Sequence, residues 1–215
     1  MRRLISSPEI EIKLRVPDAS AFRRLLKRIN AREIIPRTYE SNTLYDTPRN
    51  GLRRRGQLIR VRIEVPASGR KRARKESNSP AILTYKGPSR KSAVAKADRR
   101  FKIREEAEIA FTGGERIVRI LEALGLQPAF QYEKFRTTYQ LPGLPNVKVE
   151  LDETPVGLFL ELEGAKSAID RAARSLGYSE SDYLTNSYGT LYLADFRRRG
   201  VKPTNMLFQS SKKIR

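Results

Sequence analysis

The 215-residue chain reads as an α+β protein in which a closed eight-stranded antiparallel β-barrel carries flanking helices. Three observations lead there. Segments that alternate apolar and polar residues recur about eight times, most connections between them are short and turn-like, and each intervening helical segment is amphipathic. The length suits one domain with a sizeable core.

The first strand is PEIEIKLRV, where Ile10, Ile12 and Leu14 alternate with Glu9, Glu11, Lys13 and Arg15. DASAFRRLLKRIN follows as a helix, capped by Asp18 or Ser20, with Phe22, Leu25, Leu26 and Ile29 on one face. YESNTLYD at 39–46 is a weaker strand, and QLIRVRIEV at 57–65 and AILTYK at 81–86 are stronger ones. KIREEAEIAF at 102–111 reads as a single strand. FTGGER at 111–116 has two glycines ahead of a helix and reads as a turn and cap, not as a phosphate-binding loop. ERIVRILEALG is the second helix. Strands at 132–140, 146–152 and 157–163 are linked by LPGLPN and DETPVG. SAIDRAARSLG and SDYLTNSYGTLYLADF complete the helices; Tyr188 and Tyr192 of the latter either reach a site or pack the helix near the barrel mouth.

Composition narrows the chemistry. With neither Cys nor His, disulfides, thiolate metal sites and imidazole bases are excluded, so any bound metal must be held mainly by oxygen. No run approaches the roughly 18 apolar residues that span a bilayer, and MRRLISSPEIE lacks a secretory apolar middle, so the expectation is a cytoplasmic protein without a membrane partner. Of the net charge of +20, sixteen lie in 66–80, 89–102 and 197–215. These segments read as loops and a tail, which divides the chain into a domain at 1–196 and a basic C-terminal tail at 197–215. They lack interleaved aromatics, so nucleic acid is not the favoured partner.

Sorting the strands by parity places charge on one face throughout. Glu9, Glu11 and Lys13 share a side, as do Arg60 with Arg62, Lys134 with Arg136, and Arg104 with Glu106 and Glu108. Glu150 and Asp152, and Glu161 and Glu163, pair likewise, while Lys86 opposes Leu83 and Tyr85. A solvated sheet face is the ordinary reading of any one such strand. Together they argue otherwise, because like charges two residues apart repel unless something of opposite sign sits between them. Carboxylate pairs suit a divalent cation, and Arg and Lys pairs suit phosphate. If the barrel closes with its charges inward, the lumen has the parts needed for phosphoryl transfer.

EIEIK at 9–13 resembles the ExExK signature of the CYTH superfamily, the triphosphate tunnel metalloenzymes. YDTP, LIRVR, LTYKGP, KIREEAE, EKFRTTY, VELDE and GLFLELEG follow in the family's order, over about residues 8–195. The resemblance implies an eight-stranded tunnel that binds a triphosphate-bearing small molecule and cleaves it with Mg²⁺ or Mn²⁺. It implies Glu9, Glu11, Glu161 and Glu163 as metal ligands, and Arg60, Arg62, Lys86, Arg104, Lys134 and Arg136 as the phosphate grip. Glu106, Glu108, Glu150 and Asp152 would orient those bases, bind a second metal or activate water; Lys13 would join the grip or donate a proton. Triphosphate hydrolysis leads, with a class IV adenylate cyclase as rival and a non-catalytic binder of polyphosphate or RNA as the third reading.

Overall fold

The computed structural model describes residues 8–69, 80–89, 99–200 and 204–208. Most of the three basic segments lies outside them. In chain order the elements are β1 (Glu9–Val16), α1 (Ala19–Arg28), β2 (Arg32–Asp46), α2 (Gly51–Arg54), β3 (Leu58–Pro66), β4 (Pro80–Lys86), β5 (Lys102–Arg104), β6 (Glu106–Thr112), α3 (Gly114–Ala123), β7 (Gln127–Leu141), β8 (Leu144–Thr154), β9 (Gly157–Glu163), α4 (Lys166–Ser175) and α5 (Tyr188–Arg199).

The nine strands form one antiparallel sheet in the order β5-β1-β9-β8-β7-β2-β3-β4-β6. Its two edge strands, β5 and β6, are consecutive in the chain with Glu105 between them, so the sheet curls into a nearly closed barrel. The expectation of eight strands is corrected here: the segment read as one strand pairs with β1 through 102–104 and with β4 through 106–112. A single strand cannot stay straight while serving both edges, and it breaks at Glu105. The Glu105 carbonyl accepts from Gly87 N at 2.9 Å, and Arg104 Nε donates to the Gly87 carbonyl at 2.7 Å, which stitches the seam. Beyond β5, Leu184 continues the closure through paired backbone bonds with Lys13 at 2.9 and 2.8 Å.

Most apolar strand residues face outward, as the alternation requires, and helices cover many of them, whereas Leu44, Leu58 and Phe130 line the interior and Ile109 is largely exposed. α1 and α4 cover β1, β8 and β9, packing Phe22, Leu26, Ile169 and Ala172 on Ile12, Leu14, Leu151, Leu160 and Leu162. α3 covers the opposite side, with Leu121 against Tyr45 and Val61. Asp18 caps α1, accepting from Ser20 N and Ala21 N at 2.7 and 2.9 Å. Asp46 does similar work for α2, accepting from Leu52 N and Arg53 N, so the YDTP stretch has a structural role. β2 begins seven residues before the strand expected there, and Pro36 coincides with its irregular register.

The last helix starts at Tyr188, later than its pattern suggested, with Ser187 accepting from Thr190 N at 3.2 Å. Past position 196 it runs on to Arg199, and residues 204–208 lie along β7. Met206 there is wholly buried and exchanges backbone bonds with Gln131 and Glu133, both 2.9 Å. Among the described residues no helix is long and apolar enough to cross a membrane.

Leu160 has no exposure and lies in the outer core. Leu160→Ala should cost about 2–5 kcal/mol of stability, measured by equilibrium urea unfolding; a loss below about 1 kcal/mol would contradict the packing described.

Candidate active site

The barrel encloses a cavity of about 180 Å³. Every residue expected at the site lines it except Asp152, which is wholly buried behind the wall. Lys102, Lys148, Tyr132 and Tyr188 line it as well. Lys102 and Lys148 share parity with Arg104 and Glu150, so alternation alone could have found both.

The basic half is built around Asp152. Arg136 grips it with both ends of its fork, Nε to Oδ1 at 2.7 Å and Nη2 to Oδ2 at 2.6 Å. Lys134 Nζ lies 3.0 Å from Oδ2, and the Tyr188 hydroxyl donates to the same oxygen at 2.7 Å. Arg136 also pairs with Glu150 at 2.5 Å and with Glu161. The Tyr188 ring lies beneath the Lys13 and Lys134 ammonium groups, 5.1 and 5.5 Å from its centroid. Tyr188 therefore both packs its helix and enters the site, whereas the Tyr192 hydroxyl bonds the Asn205 carbonyl at 3.1 Å.

Glu40, a residue the sequence reading missed, lies fully buried between Lys134 at 3.3 Å and Arg136 at 3.5 Å. Burial pushes its carboxyl up, but Lys134, Arg136 and Arg62 outweigh that and hold it at about 2. Arg60 donates to Thr84 and Glu108, each at 3.1 Å, and to the Tyr132 hydroxyl at 3.3 Å. Arg62 pairs with Glu64 at 3.0 Å and approaches Glu108 at 3.6 Å.

The acidic half lies on β1, β6 and β9. Lys86 pairs with Glu9 at 2.7 Å and Glu106 at 3.2 Å; Lys13 pairs with Glu161 at 2.8 Å and Glu11 at 3.2 Å. Lys102 also pairs with Glu11. Against burial, Lys13 and Lys102 drive the Glu11 carboxyl well below the usual range. Burial works against Lys13 too, yet Glu11 and Glu161 make it hold its proton far more tightly than usual. At Lys102, burial and the Lys13 charge win over Glu11, and its proton affinity falls. Arg104 is partly committed elsewhere, donating to the carbonyls of Gly87 and Gly56, both 2.7 Å.

Glu106 stands apart. Burial, a hydrogen bond to Glu9 and the charges of Glu9 and Glu108 overcome Lys86 and push it up to about 8. Burial, with Glu9 and Glu150 against Lys148, also raises Glu163. In this corner carboxylates crowd one another, and Glu11 and Glu163 are direct cross-strand partners. Its donors are carboxylate oxygens, the chemistry that Mg²⁺ and Mn²⁺ prefer, so the residue set fits a divalent ion. Among the described residues no three carboxylates converge as they stand, because bases occupy them.

A model of the CYTH domain matches residues 7–188. The chain belongs to the CYTH family. Its members are triphosphatases or cyclases that bind triphosphate substrates. A Vibrio parahaemolyticus protein provisionally named an adenylate cyclase superposes with a TM-score of 0.65 at 21% identity, covering 85% of this chain and 95% of that one. A Pyrococcus horikoshii protein gives 0.64 at 22% identity, covering 87% and 99%. A Hippeastrum protein, provisionally named an adenylyl cyclase and described as having a dominant triphosphatase activity, gives 0.56 at 17%, covering 91% and 97%. No curated protein sequence matches the chain. These likenesses establish the CYTH fold.

Because Glu106 holds a proton in the folded state up to about pH 8 but in the unfolded chain only to its ordinary 4.5, it makes the fold lose stability as pH rises between those values. In metal-free protein, the melting temperature of Glu106→Gln relative to wild type should climb from pH 5 to pH 8 and level off above. A constant difference across that range would refute the assignment.

Proposed function

We propose that the protein is a metal-dependent phosphohydrolase that cleaves triphosphate-bearing substrates within the tunnel. The observation that carries this reading is the charged cavity, which Arg60, Arg62, Lys134 and Arg136 line together with the carboxylates of Glu9, Glu11, Glu106 and Glu163. Arg and Lys on rigid strands present fixed donors to phosphate oxygens, and phosphoryl transfer is catalysed chiefly by such positioning and charge neutralisation. Glu9, Glu11, Glu161 and Glu163 would hold Mg²⁺ or Mn²⁺, which when bound supplies a Lewis acid for the phosphoryl oxygens.

Asp152 and Glu150 hold Arg136 in place, and Glu108 does the same for Arg60. Glu11 and Glu161 make Lys13 hold its proton tightly, which suits it to a fixed positive charge in the grip. Glu106 exchanges its proton near neutrality, which suits it to accept one from the attacking water. The reaction is then in-line attack of water on phosphorus, with the bases neutralising charge on the leaving phosphate.

One feature favours an organic triphosphate over the inorganic ion. On the lumen face, Leu44 lies directly across from Phe130 and diagonal to Leu58, and all three line the cavity beside the bases. This apolar corner suits a ring attached to the phosphates. It suits the second reading too, an adenylate cyclase in which the ribose 3′ hydroxyl replaces water and pyrophosphate leaves.

Purified protein with Mg²⁺ or Mn²⁺, given inorganic triphosphate, thiamine triphosphate or ATP, should release phosphate. Cyclic AMP from ATP would favour the cyclase, and salt-sensitive binding of polyphosphate or RNA without turnover would favour a non-catalytic binder. Arg60→Ala or Lys134→Ala should each lower kcat/KM by roughly 100-fold or more; unchanged values would remove the phosphate grip. Phe130→Ala should lower kcat/KM for an organic triphosphate by about tenfold or more, reflecting lost aromatic burial, and leave inorganic triphosphate little changed. An equal loss on both substrates would remove the apolar corner from the account.

A further inference from the structure

Across four neighbouring strands the register sets Lys102, Glu11, Glu163 and Lys148 in one row, on β5, β1, β9 and β8. Two carboxylates meet directly in its middle, an arrangement that is unfavourable without a cation. A lysine closes each end. Lys148 is at the rim, half-exposed, with Glu150 at 2.7 Å and Glu163 at 3.8 Å. Lys102 lies inside and rests on Glu11. The other bases beside these carboxylates are held from more than one direction: Lys13 by Glu11 and Glu161, Lys86 by Glu9 and Glu106, Arg104 by two backbone carbonyls. Glu11 is the one ion-pair partner of Lys102 among the described residues.

Charge balance shows what this placement does. The cavity wall carries nine bases and seven acids, and the buried carboxylates of Glu40 and Asp152 bring the two signs level. A divalent ion alone would leave this enclosed space with excess positive charge. A triphosphate alone, with about four negative charges, would leave it strongly negative. Together they leave about two negative charges, half of what the triphosphate alone would leave.

We propose that Lys102 is an internal counter-ion that masks Glu11 in the ligand-free tunnel, so that metal and triphosphate bind with strong positive coupling. This rests on the triphosphate reading. Phosphate oxygens draw the Lys102 ammonium away from Glu11, and the Glu11–Glu163 pair becomes available to the cation. By linkage, each ligand raises the affinity for the other by the same factor. Free metal ions at modest concentration then leave the empty tunnel unoccupied, and the metal arrives with its substrate.

The test measures Mn²⁺ alone by electron paramagnetic resonance, and inorganic triphosphate alone by calorimetry, on wild type, Lys102→Met and Lys102→Arg. Removing the ammonium in Lys102→Met should tighten Mn²⁺ binding by about tenfold or more and weaken metal-free triphosphate by a similar factor. Lys102→Arg, which keeps the charge, should stay near wild type in both. If Lys102→Met does not fold, Lys102→Gln serves in its place. Equal Mn²⁺ affinity in wild type and the neutral variant, or weakening of both ligands, would overturn the mask while leaving triphosphate cleavage standing. Failure of wild type to bind triphosphate with or without Mn²⁺ would overturn the proposed function and the mask with it.

Discussion

The tunnel depends on the solvation of one charge. Asp152 is wholly enclosed, and a buried carboxylate is tolerable only where ionised or hydrogen-bonding groups replace its lost water. Lys134 and Arg136 from β7 and Tyr188 from α5 supply them. Meeting that demand ties β8 to its neighbour and docks the last helix over the lumen. The same contacts hold Arg136 within reach of Glu40, Glu150 and Glu161. A single acid thus sets the geometry of the basic wall, although it does not itself line the cavity.

The remaining charges follow the same logic with a different outcome. In the basic half each acid lies close to its bases, and the pairing is tight. In the acidic half, burial and neighbouring carboxylates let Glu106 and Glu163 retain protons to higher pH than free carboxylates do. The two sides therefore differ in how their carboxylates are held: Arg136 and Lys134 grip those of one side, while two on the other keep protons to higher pH. That asymmetry, more than the number of charges, distinguishes the cavity from a barrel filled with salt bridges for stability.

Much of this was legible because a strand alternates faces at every residue. Where apolar and charged residues strictly interleave, as in EIEIKL or LFLELE, the lumen row can be read directly, and the structure brings those rows together. β2 was harder. Its outward row includes Ser41 and Thr43, so it offers little contrast with Glu40, Asn42 and Leu44, and Glu40 went unnoticed as a partner of Lys134. Lys102 was obscured by its neighbours, a basic stretch whose composition reads as a loop. The break at Glu105 was invisible in principle from alternation, since both halves keep the same parity and only the identity of the partner strand changes. Met206 was missed for a related reason: its burial against Tyr132 depends on a return of the chain that no local pattern announces.

The seam at Glu105 also bears on how this sequence can change over time. Lys102 and Arg104 before it, and Glu106 and Glu108 after it, face the lumen only because one residue separates β5 from β6. Gaining or losing a single codon there would turn one side of the junction inside out, exposing its charges and burying Ala107, Ile109 and Phe111. Length variation at that point is consequently open only to in-frame changes that restore parity, since the Glu105 carbonyl that stitches the seam holds its place only in this register.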